Sequence, residues 1–253
     1  MPEIQPILQA FTPISLKEMD DVALQDRTDT KYVFAERDLA AVLRDIQPHY
    51  RLLEVNGQRG TDYRSLYYDT ADHRDFLDHQ NGRVLRSKTR FREYVGSDLY
   101  FLEVKRKTGR GRTNKLRRRV QGIPEELSAE QAAFIAEATG RADRMMPALW
   151  NAFTRLTFVR KDRPERLTMD IGLRFHVPGR PDRDVPLVGI VVAELKQERM
   201  DRLSPFALAM RRAGNRPAGM SKYCIGMLMV REGMKYNAFK QVLLRLDDLR
   251  KAA

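Results

Sequence analysis

Cysteine is almost missing from this chain of 253 residues: Cys224 stands alone, which excludes an internal disulfide and any cysteine-based metal cluster. A reducing cytoplasm is the expected compartment. The four histidines, His49, His73, His79 and His176, lack the i, i+4 spacing of a helical zinc site and read as surface or satisfied loop residues. Long hydrophobic runs are also missing. The longest apolar stretch, Leu187 to Ala193, is too short to span a bilayer, and the first residues do not follow a signal-peptide pattern, so a soluble protein is expected. The segment TGRGRTNK at 108–115 has neither the four-residue glycine spacing nor the GK[ST] ending of a P-loop. A bound nucleotide would therefore be held by side chains. No low-complexity tract or long linker divides the chain, and one domain over 1–253 is expected.

What the chain has in excess is positive charge: 46 Lys and Arg stand against 34 Asp and Glu, a formal net charge of +12. That balance favours polyanionic partners such as nucleotides, polyphosphate, nucleic acid or an anionic membrane. The charge is placed at alternate positions on segments that otherwise read as strands. Lys88, Arg90 and Arg92 alternate with Thr89 and Phe91, and Glu103, Lys105 and Lys107 alternate with Leu102, Val104 and Arg106. Lys115, Arg117 and Arg119 continue the pattern, as do Arg166 with Asp170 and Glu194 with Lys196. Side chains at i and i+2 share one strand face, so each segment carries a charged face that needs water or a counter-charge. One such strand alone reads as a solvated outer surface. With five in one chain, a single sheet cannot leave every strand half solvated outside and still bury a core, so the charged faces are expected to turn inward around a cationic bore.

The expected elements follow from periodicity and caps. Strands are expected over 27–34, 64–70, 84–94, 99–107, 115–120, 154–159, 166–176, 188–197 and 222–231, with a hairpin at Gly96–Asp98. A basic loop over 108–114 joins two of them. Helices are expected near 16–24, over 36–46, from a Ser128 cap with Gln131 in the capping box to Gly140, over 143–153, from a Ser204 cap with Pro205 to Arg212, and over 235–250.

The ordered set KxRxRxY at 88–94, FLEVKRK at 101–107, K-x-R at 115–117, RLTMD at 166–170, ELK at 194–196 and SKY at 221–223 resembles the VTC-type polyphosphate polymerase domain. That domain belongs to the triphosphate tunnel superfamily, with the CYTH triphosphatases and adenylate cyclases. The resemblance spans about residues 27–231. It implies an α+β fold, a closed antiparallel β-barrel with helices packed outside, and a polymerase that moves the γ-phosphoryl of ATP onto a polyphosphate chain. A triphosphatase acting on inorganic or nucleoside triphosphate, and a non-catalytic polyphosphate or RNA binder, are the alternatives. An arginine-rich RNA-binding segment over 105–119 is the corresponding rival reading of the residues themselves, and specific nucleic-acid binding is not expected.

By the resemblance, Arg90, Arg92, Arg155, Arg166 and Lys222 carry the chemistry. Lys31, Lys88, Lys105, Lys107, Lys115, Arg117 and Lys196 bind phosphate. Glu194 holds Mn2+ or Mg2+, with Glu103 and Asp170 as further candidates. A triphosphate spreads its charge over about 8–10 Å and needs cations from several strands aimed at one axis, which is what such a barrel supplies. Two departures stand out: Phe153 replaces an expected tyrosine two positions before Arg155, and Asp29 stands where a glutamate is common. The resemblance also raises a membrane-embedded partner protein for regulation and product export.

Overall fold

The computed structural model describes residues 2–20, 27–109 and 113–251. The chain opens with α1 (Gln5–Gln9), β1 (Thr12–Ile14) and α2 (Leu16–Asp20), then β2 (Thr28–Ala35), α3 (Leu39–Ile46), β3 (Tyr50–Leu53), β4 (Thr61–Asp69) and α4 (Arg74–Gln80). The hairpin β5 (Arg86–Tyr94) and β6 (Leu99–Lys107) leads to β7 (Thr113–Val120), α5 (Ala129–Thr139), β8 (Met146–Arg160) and β9 (Glu165–His176). Then follow β10 (Val185–Pro186), β11 (Ile190–Gln197), α6 (Pro205–Arg212), α7 (Lys222–Val230) and α8 (Lys240–Lys251). Part of the expected basic loop, 110–112, and the end of the expected first helix, 21–24, lie outside the described residues.

Eleven strands form one sheet whose main path runs β2-β11-β9-β8-β4-β5-β6-β7, antiparallel throughout. On its outer face Phe34, Leu156, Phe158, Leu167, Met169 and Ala193 pack against α3 and α6, and Phe91, Leu102 and Val104 pack against Ile135 and Ala138 of α5. The inner face is divided. Val33, Leu149, Leu173, Phe175 and Val192 pack against Tyr223, Cys224 and Met227 of α7, with α8 beyond, and the remainder carries the charged side chains. Gly172 makes this division possible on β9. Its φ of +62° sits where the β8–β9 register shifts, so Ile171 points to the outer core while Leu173 points to the inner one.

Three expectations are corrected. The barrel is not closed by backbone pairing: β2 and β7 end the sheet path and are not bonded to each other. The free edge of β2 is already used, because Ala218 N–H donates to the Lys31 carbonyl at 2.8 Å and Arg245 Nη2 donates to the Val33 carbonyl at 3.2 Å. At the other end β7 carries Lys115, Arg117 and Arg119, charges of the kind that keep an edge strand from pairing. Residues 146–153 are strand, not helix, paired to β4 and β9; apolar residues stand on both faces of this stretch, which hides a period of two. Residues 222–230 are helix, not strand. Ser221 caps α7 by accepting from Cys224 N–H at 3.1 Å, and α7 is so apolar around its circumference that no polar face marks its period.

The expected hairpin, the Ser128–Gln131 capping box with Gly140 in the left-handed region, and the Ser204 cap are all present. The strands β1, β3 and β10 and the helices α1 and α4 lie outside the expected elements.

α7 reaches the sheet at Gly226, where an added Cβ would lie 2.5 Å from Phe175 Cδ1 and 2.6 Å from Leu149 Cδ2. Gly226→Ala should destabilise the protein by about 1–3 kcal/mol, through displacement of α7 or strained core rotamers. A thermal melt should fall by several degrees; an unchanged midpoint would mean that α7 is not seated there.

Candidate functional site

Alternation on six strands brings the charged faces together into one trough, and three carboxylates organise it. Glu103 on β6 is buried among cations from both neighbouring strands: Arg90 donates to its Oε2 through Nη2 at 2.6 Å and Nε at 2.8 Å, and Lys115 Nζ lies 2.6 Å from Oε1. Arg117 at 3.9 Å and Arg92 at 4.0 Å complete the ring. Burial alone would raise the Glu103 pKa; Arg90, Arg92 and Lys115 overcome that and hold it far below the usual carboxylate range. Asp170 on β9 accepts a two-pronged contact from Arg155, Nε to Oδ1 at 2.6 Å and Nη2 to Oδ2 at 2.8 Å, and its Oδ2 also accepts from Lys222 at the start of α7. Its pKa too is held far down against burial, by Lys222 and Arg155.

Glu194 on β11 is paired with Lys196, and Lys31 Nζ on β2 lies 3.8 Å away. These neighbours outweigh burial and bring its pKa down to about 2. Asp29 Oδ2 approaches the same Lys196 ammonium at 3.0 Å. Two carboxylates thus converge on one cation. Hard oxygen donors of this kind suit Mg2+ or Mn2+, and no group of three or more His, Cys, Asp or Glu side chains able to hold a metal occurs among the described residues. Glu194 and Asp29 supply oxygen donors of that kind, both paired with Lys196, whereas Glu103 is enclosed by cations.

Other expected residues line the same trough. Arg166 lies opposite Lys196 in the β9–β11 register, and Lys107 lies opposite Arg86 and Thr113 at the end of β6. Neither enters an ion pair among the described residues. Lys88 Nζ donates to Ser221 Oγ at 2.9 Å, joining β5 to the cap of α7. Lys105 shows that the two ends of the open sheet face each other: on β6, it senses Lys31 of β2 and Glu194 and Lys196 of β11 as well as Lys88. It is open to water yet walled by protein, and burial and like charge bring its pKa down to about 8.

The aromatic floor was missed. Tyr63 and Tyr67 on β4 and Tyr94 on β5 share the cation-bearing face: Tyr67 OH accepts from Arg90 Nη1 at 3.1 Å, and Tyr94 OH accepts from Arg117 Nη2 at 3.1 Å. The signal was the same i, i+2 alternation, Tyr63-Ser65-Tyr67, carried by rings instead of charges.

The sheet, the trough and the helix set into it define a protein of the triphosphate tunnel fold. A candidate adenylate cyclase from Bacillus halodurans superposes with a TM-score of 0.50 at 10% identity, covering 78% of this chain and 94% of its own. A candidate adenylyl cyclase from Hippeastrum with a dominant triphosphatase activity superposes with a TM-score of 0.51 at 14% identity, covering 81% and 97%. No curated protein matches the chain in sequence. The VTC domain model matches residues 26–231, and the chain belongs to the VTC domain family. No helix among the described residues is long and apolar enough to cross a membrane.

Because Lys105 has no carboxylate within ion-pair reach among the described residues, its charge is a net cost in the empty trough. The unfolded chain holds this proton up to about pH 10.5 and the folded chain only to about pH 8. The cost is therefore full below pH 8, shrinks as pH rises, and vanishes above 10.5. Lys105→Gln should raise the melting temperature by about 2–4 °C at pH 7, solvent screening limiting the gain, with the advantage lost by pH 10.5. Equal melting at both pH values would refute this account.

Proposed function

We propose that the protein is a polyphosphate polymerase that transfers the γ-phosphoryl group of ATP to a growing phosphate chain in the cationic trough. The observation that carries this reading, beside the family match, is that cations of seven strands and of α7 share one charged face, with Lys105 exposed among the like charges of Lys31, Lys88 and Lys196. A flexible polyanion with regularly spaced charge is the ligand such a face suits. In the transfer, an anionic oxygen at the chain end forms the new bond to the γ-phosphorus while the bond to the β–γ bridging oxygen breaks, and ADP leaves with that electron pair.

The protein's part is to hold donor and acceptor in line and to neutralise charge on the transferred group. Arg90, Arg92, Arg155, Arg166 and Lys222 are assigned to that group, and Lys31, Lys88, Lys105, Lys107, Lys115, Arg117 and Lys196 to the rest of the chain and the nucleotide phosphates. The attacking oxygen is already anionic, so no protein base is required. A divalent ion held by Glu194, with Asp29 beside it, would supply further neutralisation of phosphate oxygens.

A triphosphatase is the second reading, favoured by the likeness in fold to the Hippeastrum protein with dominant triphosphatase activity. It needs water where the chain end would sit. Incubating the pure protein with ATP and Mn2+ and resolving the products separates the two: chains of increasing length with ADP support the polymerase, and ADP with free phosphate alone overturns it.

Glu194→Gln should lower metal-dependent turnover at least tenfold and weaken Mn2+ binding, read by water proton relaxation, while the protein stays folded. Parental Mn2+ binding would remove Glu194 from the metal role.

A further inference from the structure

Three of the cations assigned to the transferred group surround one pair of rings. Tyr63 of β4 and Phe153 of β8 stack with centroids 5.3 Å apart and planes 12° apart. Arg92 Cζ lies 4.9 Å from the Tyr63 centroid and 5.8 Å from that of Phe153, and Arg155 Cζ lies 5.3 Å and 5.4 Å from the same two. Lys222 Nζ lies 4.6 Å from the Phe153 centroid. The cations come from β5, β8 and α7, and the ring pair is where they meet.

Carboxylates do not balance this cluster. Asp170 serves both Arg155 and Lys222, while Arg92 has Glu103 only at 4.0 Å, shared with Arg90, Lys115 and Arg117. Arg92 donates one hydrogen bond among the described residues, from Nε to Ser65 Oγ at 3.4 Å. A carboxylate placed to balance these charges would occupy the N–H groups that an anion must use. A ring face attracts the charge through its quadrupole and occupies no donor. At 9% and 4% exposure, Tyr63 and Phe153 are covered by these neighbours and offer no face on which a nucleobase could stack.

We propose that the Phe153–Tyr63 ring pair is a positioning element that holds Arg92, Arg155 and Lys222 charged and spaced while occupying none of the donors that Asp170 and Ser65 leave to phosphate. The absent hydroxyl at Phe153 then matters little, since the face of the ring does the positioning. The inference rests on the polyphosphate reading for its ligand, but the ring–cation contact can be tested without it.

The experiment replaces Phe153 with 4-fluoro-, 3,5-difluoro- and 3,4,5-trifluorophenylalanine, which weaken the ring quadrupole at nearly constant shape, and compares Phe153→Tyr and Phe153→Leu. Tripolyphosphate affinity is titrated, and acylation of Lys222 by acetic anhydride is followed by mass spectrometry in the absence of ligand. Affinity should fall stepwise with fluorine content, by about 2- to 30-fold in total, with Phe153→Tyr near the parent. Lys222 should acylate faster along the same series as its ammonium loses support. A series flat in Lys222 acylation would overturn the proposal, even if Phe153→Leu failed to fold. A parent that does not bind tripolyphosphate would overturn the polyphosphate reading instead and leave the acylation series to decide the ring.

Discussion

Like-charge repulsion is the constraint around which this structure is arranged. The inner face of the sheet brings Lys31, Lys88, Arg90, Arg92, Lys105, Lys115, Arg117, Arg155, Lys196 and Lys222 onto one space, and three ion-pair clusters built on Glu103, Asp170 and Glu194 keep them apart. Each carboxylate joins more than one element. Glu103 binds the cations of β5 and β7 across β6, Asp170 joins β8 to α7, and Glu194 joins β11 to β2. Truncating one of them would leave more than one cation unbalanced at once, a larger loss than that of a surface pair.

Charge also explains why the two halves of the sheet are finished differently. The apolar end of the inner face accepts α7, with Gly226 against Phe175 and Leu149, and the charged end carries the ion-pair clusters. The junction falls at Ser221 and Lys222. There the helix cap takes a hydrogen bond from Lys88, and the next residue reaches Asp170. The same turn therefore ends a hydrophobic core and contributes a cation to the trough. Its neighbour Tyr223 is tied to Asp69, whose oxygens also accept the N–H groups of Thr70, Asp75 and Phe76 at 2.8–3.0 Å, so the turn is fixed from beneath by α4.

Much of this was legible in the sequence because a period of two is hard to disguise when one face is charged. Arg90, Glu103, Lys115 and Glu194 all fall on the inner face as their alternation requires, and the caps at Ser128 and Ser204 start their helices where expected. The failures share a cause. In Met146–Phe153 and Lys222–Val230 apolar residues stand on both sides of the element, so neither a strand nor a helix shows a polar face, and local pattern carries no period to read. That the expected barrel stays open was invisible for a different reason. It depends on the β2 carbonyls bonding Ala218 and Arg245, groups almost 190 residues or more away in sequence. The aromatic floor was present in the alternation of β4, but rings on a strand ordinarily mean core, and only the folded sheet sets them beneath arginines.

Lys105 gives the trough a thermodynamic property that its charge count does not convey. Burial and like charge bring the pKa of this amine down to about 8, and any polyanion that settles beside it favours the charged form. Occupancy of the trough is then coupled to proton uptake from solution, so the heat released on filling it depends on the ionisation enthalpy of the buffer, and the protein acts as a weak base whose strength is set by what it holds.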